Sequence, residues 1–77
     1  MEGIEVFPNP ATGILNINVP DGKDYKIEII GADGKQVYMS QTGNGNGNID
    51  VSNLVSGNYI ASINVDGKVY KINFIKL

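Results

Sequence analysis

Apolar and polar residues alternate along most of the chain and rarely recur at spacings of three or four, the period of strands and not of helices. After Gly13, the residues Leu15, Ile17 and Val19 share a face against Asn16 and Asn18, and Pro20-Asp21-Gly22 ends the run. Before it, Ile4 to Phe7 reads as a short edge strand stopped by Pro8-Asn9-Pro10, a rigid turn whose prolines fix φ and forbid continued pairing. Tyr25, Ile27 and Ile29 form the next face, opposed by Lys26 and Glu28. Ala32-Asp33-Gly34-Lys35 then turns the chain into a strand over Gln36 to Gln41, with Val37 and Met39 on one side and Tyr38 on the other. Gly34 supplies a positive φ there without steric cost. Ile49 to Val51 predicts a short strand, and Leu54-Val55-Ser56-Gly57 a turn that crosses between sheets. Tyr59, Ala61, Ile63 and Val65 alternate over the longest regular run, and Asp66-Gly67 suits a type I′ turn into Lys68 to Lys76. In that last strand Tyr70, Ile72 and Phe74 face one way while Lys71 and Asn73 face the other, so the final residues are expected to be folded into the core.

This pattern predicts an all-β domain, a small Ig-like β-sandwich of about seven antiparallel strands, with a partly closed barrel as the alternative. The run from Leu54 to Tyr59 is similar to a tyrosine corner, which favours the sandwich. The stretch Gly43-Asn44-Gly45-Asn46-Gly47-Asn48 has no apolar side chain to bury and is predicted to be a mobile loop. Its Asn-Gly steps are candidate deamidation sites.

With 77 residues the chain has room for one core and one domain. Cys and His are both absent, which removes disulfides, thiolate metal sites and the commonest general base, and argues against a self-contained enzyme. Six Lys against eight carboxylates give a net charge of −2, opposite to the basic footprint of a nucleic-acid binder. A hydrophobic fraction of 42% with 18% charged residues is too apolar for disorder. No apolar run approaches a membrane span, and Met1-Glu2-Gly3 does not begin an export leader.

Candidate chemistry is sparse. Asp21, Asp33 and Asp66 each precede a Gly, as hairpin turns require, and only Asp21 with Asp24 stands out as a calcium-type pair. No metal, cofactor or small-molecule substrate is expected. Tyr25, Tyr59, Tyr70 and Phe74 fall in register with core faces, leaving Tyr38 as the single exposed ring, a poor platform for sugars. Lys71 and Lys76 stand near the C-terminus on a possible sheet edge, where charge would also discourage aggregation.

The ordered set of turns carries a resemblance. Val6-Phe7-Pro8-Asn9-Pro10-Ala11-Thr12-Gly13 precedes an alternating strand, and Tyr25-Lys26-Ile27-Glu28-Ile29 leads to Asp33-Gly34-Lys35-Gln36-Val37. Ile49-Asp50-Val51-Ser52-Asn53-Leu54, Ser56-Gly57-Asn58-Tyr59 and Lys71-Ile72-Asn73-Phe74-Ile75-Lys76 follow. From Ile4 to Leu77 this resembles the type A C-terminal sorting domain of the type IX (Por) secretion system of Bacteroidetes. Residues 4–77 are then the domain and residues 1–3 a linker remnant.

The resemblance implies a folded address at the end of an exported cargo protein that carries its own signal peptide. Outer-membrane translocon components read the domain, a sortase-like cysteine protease removes it, and the cargo passes from periplasm to cell surface or medium. Lys71, Asn73 and Lys76 are expected as outward contacts for the reader, and Pro8, Asn9, Pro10, Gly13, Gly34, Leu54, Gly57 and Tyr59 as residues that hold the shape. Exposed sheet edges could accept or donate a strand. Two other classes compete: an accessory carbohydrate-binding or Ig-like adhesion module, and a spacer with no specific partner.

Overall fold

The computed structural model describes residues 3–77. In chain order its strands are β1 (Glu5–Phe7), β2 (Ile14–Asn18), β3 (Asp24–Gly31), β4 (Val37–Asn44), β5 (Asn46–Asp50), β6 (Gly57–Val65) and β7 (Lys68–Lys76), with one 3-10 turn over Pro20–Gly22. They form two antiparallel sheets, β1-β2-β5 and β4-β3-β6-β7, and so a small β-sandwich. The chain changes sheet after β2, β4 and β5, which pairs β2 with β5 and β3 with β6 and interlocks the layers. Of the expected linker remnant, residues 1 and 2 lie outside the described residues, and Gly3 precedes β1.

Alternation places the core where the sequence pattern puts it. Leu15, Ile17 and Val19 from one sheet face Ile27, Ile29, Ala61, Ile63, Val65 and Phe74 from the other, all buried. Pairings such as Ile27↔Ile63 and Ile29↔Ala61 keep these side chains on one face, because a slip of one residue would turn each strand's apolar set to solvent. The β3–β4 turn closes through Gly34 N–H donating to the Gly31 carbonyl at 2.8 Å, with Gly34 at φ 76°. At the β6–β7 turn both Asp66 (φ 54°) and Gly67 (φ 80°) are left-handed, as type I′ geometry demands.

The tyrosine corner is present: the Tyr59 hydroxyl donates to the Val55 carbonyl at 2.6 Å. The same ring stacks on Phe74 of β7 at 5.8 Å between centroids and meets the edge of Tyr38 of β4 at 5.5 Å. Tyr59 therefore ties the β5–β6 crossing to both outer strands of its sheet.

Three sequence expectations are corrected. The Gly-Asn run is not a mobile loop: it forms the end of β4, a one-residue turn at Gly45, and most of β5. What orders it is Tyr25, buried beneath it. A Cβ on Gly43 would stand 2.6 Å from the Tyr25 hydroxyl, and one on Gly47 would overlap the same atom. The glycines thus let two strands close over an aromatic ring, and the ring's burial supplies the apolar contact that the run itself lacks.

Val37 and Met39 do not share a side. Met39 pairs with Ile29 and Val37 with Ile30, so the register slips by one at Tyr38, and this bulge turns Val37 to solvent and leaves Met39 against the core. Tyr70, expected to be buried with Tyr25, Tyr59 and Phe74, is only partly covered: it lies near the β6–β7 turn on the edge strand of its sheet and packs against the rim of the core.

Two substitutions test this packing. Tyr59→Phe removes the hydroxyl and strands the Val55 carbonyl, and should cost about 1 kcal/mol, read as a fall of roughly 4–8 °C in Tm. Gly47→Ala should destabilise by about 1–3 kcal/mol through overpacking, and Tyr25→Phe in the same chain should recover most of it, since the Tyr25 Cζ stands 3.5 Å from that Cβ. Gly43→Ala should not be rescued, because there the ring carbon itself is 2.8 Å away.

Candidate functional site

The closing strand β7 presents two different faces. Lys71, Asn73 and Ile75 point outward, while Tyr70, Ile72, Phe74 and Lys76 point inward. On the outer face Lys71 lies beside Ser62 and then Glu28, and Asn73 beside Ile60 and then Ile30. Lys71 and Asn73 are therefore exposed, as the alternation predicts.

Lys76 is not an outward side chain, and that expectation is corrected. It is 7% exposed, with its ammonium donating to the Leu54 carbonyl at 3.3 Å and to the Leu77 backbone oxygen at 2.8 Å. Strand parity explains the placement: two residues beyond Phe74, it shares the core face. Its aliphatic stem fills the end of the sandwich and its charge is met by backbone oxygens.

The segment Pro8-Asn9-Pro10 is more than a stop signal. Both prolines follow cis peptide bonds, and the Asn9 side chain reaches β7, where Oδ1 accepts the Ile75 N–H at 2.9 Å. Ala11, fully buried, continues the contact: its N–H donates to the Ile75 carbonyl at 2.7 Å, and its carbonyl accepts the Leu77 N–H at 2.9 Å. This is a parallel bridge between Ala11 and Lys76, and it clamps the end of β7 to the connection between β1 and β2. Sequence reasoning missed the clamp. The available signal was that Asn9 alone in the Pro-Asn-Pro run has a side-chain acceptor.

The remaining motif residues take separate places. Leu54 is buried at the β5–β6 crossing, its N–H bonded to the Val51 carbonyl at 3.0 Å. The Gly13 carbonyl accepts the Val51 N–H at 2.8 Å, and neither Gly13 nor Gly57 has a neighbour that a Cβ would crowd. Tyr59 and Leu54 thus lie near Lys76, whereas Gly34 sits in the β3–β4 turn, outside this cluster.

The charged groups are mostly local. Asp50 accepts from both the N–H and the hydroxyl of Ser52, and these bonds hold its carboxyl below the usual range. Asp66 pairs with Lys23 at 2.6 Å and raises the lysine's pKa, in an exposed bridge of little energetic weight. Burial pushes the Tyr25 hydroxyl's pKa up. Asp21 lies in the 3-10 turn with φ 62°, and Asp24 opens β3. Among the described residues no three His, Cys, Asp or Glu side chains come together in a way that could hold a metal ion.

These features define a class: a small sandwich with its last strand ordered to the end and clamped by a Pro-Asn-Pro segment. The family of secretion system C-terminal sorting domains matches residues 5–76. The chain belongs to that family, the sorting domains of type IX secretion. No curated protein matches it. Membership implies an exported protein that engages the secretion system.

The clamp is testable by itself. Asn9→Ala should lower stability by about 1 kcal/mol, because the Ile75 N–H loses its acceptor. Asn9→Asp keeps an acceptor oxygen and should retain most of the wild-type Tm in thermal melts.

Proposed function

We propose that the domain is a folded address that directs an N-terminally attached cargo across the outer membrane through the type IX translocon. After passage a sortase-like cysteine protease removes the domain, and the cargo is released or joined to surface lipopolysaccharide. The protein is in the periplasm during transit and at the cell surface or in the medium afterwards. The observation that carries this reading is the family match over residues 5–76. Its reading surface is the outer side of β7, with Lys71 and Asn73 as contacts, while Lys76, Leu54, Tyr59 and the Asn9 clamp keep that strand in shape. Cleavage falls before Ile4, where backbone ahead of β1 can enter a protease.

A signal read in folded form needs a rigid surface, and ladder, clamp and core together supply one along β7. A glycan-binding module would instead need an exposed aromatic row. Tyr25 and Tyr59 are buried, and the two most exposed rings, Phe7 and Tyr38, stand on different sheets.

The test is a fusion. A signal peptide and a reporter enzyme are placed ahead of Ile4 and expressed in a Bacteroidetes strain with and without a working type IX translocon. Export with loss of the domain, only where the translocon works, is the expected result. Retention of intact fusion in the periplasm of both strains would refute the sorting role. Deleting residues 71–77 should abolish export, but it also removes Phe74 and Lys76 from the core and end of the sandwich. Point variants separate the causes: Lys71→Ala should lower export with an unchanged melting curve, whereas Lys76→Ala should lower the Tm itself.

A further inference from the structure

The clamp reveals which backbone groups of β7 face away from β6. The Ile75 N–H and carbonyl and the Leu77 N–H point outward, to Asn9 and Ala11. Backbone direction alternates along an antiparallel strand, so the N–H and carbonyl groups of Val69, Lys71 and Asn73 point to the same outer edge. Among the described residues none of these groups has a hydrogen-bond partner. The domain's own chain already occupies the last part of this edge in strand-like fashion through Ala11, and the part from Lys68 to Asn73 continues it, open.

Charge distinguishes this edge from the others. β4 carries no charged residue, β1 one Glu and β5 one Asp, while β7 carries three Lys and no acid in a chain of net charge −2. Gln41 of β4 donates to the Asn48 carbonyl of β5 at 2.7 Å, so on the opposite side of the sandwich the two edges partly satisfy each other. On β7, Lys71 forms no ion pair among the described residues, and Lys68 lies over the Tyr70 ring at 5.6 Å. In a second copy paired antiparallel about Lys71, that lysine would stand opposite its own counterpart, a like-charge contact that disfavours the register centred on it.

We propose that the open edge of β7 from Lys68 to Asn73 takes up an extended, acid-bearing segment of a partner protein by strand addition. The proposal rests on the sorting reading above, which makes that partner a component of the export machinery. Backbone bonds at Val69, Lys71 and Asn73 supply the pairing, carboxylates beside Lys68 and Lys71 select the partner, and the Ala11 bridge limits the added strand to a footprint of roughly 20 Å.

The test uses the reporter fusion with two variants and a control. Asn73→Pro removes an outward N–H, which an edge strand tolerates, and blocks an added strand while leaving the β6 ladder intact. Lys71→Glu keeps the backbone and reverses the charge, so it decides the matter even if the proline variant fails to fold. Lys35→Glu makes the same charge change in the exposed β3–β4 turn. The expected result is about tenfold lower export for Lys71→Glu, from an attractive cross-strand charge pair made repulsive, and near-complete loss for Asn73→Pro. Lys35→Glu should export like the wild type, and all three should melt within a few degrees of it. Wild-type export by both folded β7 variants would overturn strand addition while leaving the sorting role standing, whereas failure of the unmodified fusion would refute the sorting role itself. A dimer of the isolated chain in sedimentation, abolished by Asn73→Pro, would assign the edge to a second copy and overturn the partner proposed here.

Discussion

Ala11 and Ile75 are far apart in sequence, and the hydrogen bonds around them close the sandwich. A domain of 77 residues without Cys has no covalent staple, so its two sheets are held by burial and by the few backbone bonds that pass between them. On one side, the continuous run from β4 through Gly45 into β5 joins the sheets. On the other, Ala11 and Asn9 bind β7 through Ile75 and Leu77. Without that contact the last strand would be held only by β6. With it, Phe74 and Lys76 stay seated, and Lys76 in turn caps the Leu54 carbonyl at the crossing turn.

Stiffness on the opposite side has a different origin. Tyr25 is a large side chain covered by a glycine and asparagine run that has no apolar side chain of its own, and Gly43 and Gly47 make the approach possible. The aromatic group of Tyr38, Tyr59 and Phe74 links β4, β6 and β7 across the four-stranded sheet. Both devices place shape-determining contacts beneath the exposed surface. For a sorting domain this separates holding the fold from presenting a surface.

Much of the architecture was legible in the chain because strands write their burial at a period of two. The seven strands, the core residues Leu15, Ile17, Ile27, Ile29, Ile63 and Phe74, the Gly34 and Asp66-Gly67 turns and the Tyr59 corner all follow from alternation and turn chemistry. The order of the turns also sufficed to suggest the family that matches residues 5–76. Lys76 is the instructive miss: alternation from Phe74 already put it inside, but its charge argued for solvent. What reconciles the two is a pair of backbone oxygens supplied by residues outside its own strand.

By itself, then, the sequence determined the strands, their faces, the tight turns and the class of domain, since each depends on residues a few positions apart. The tertiary structure alone decided that a glycine and asparagine run is strand, that β4 is bulged at Tyr38, and that Asn9 and Ala11 grip the end of β7. Each of these depends on a partner brought close only by folding: Tyr25 beneath the glycines, Ile29 and Ile30 opposite the bulge, and Ile75 across the side of the sandwich. Local pattern records which face a residue prefers; which distant group meets it there is set by how the sheets pack.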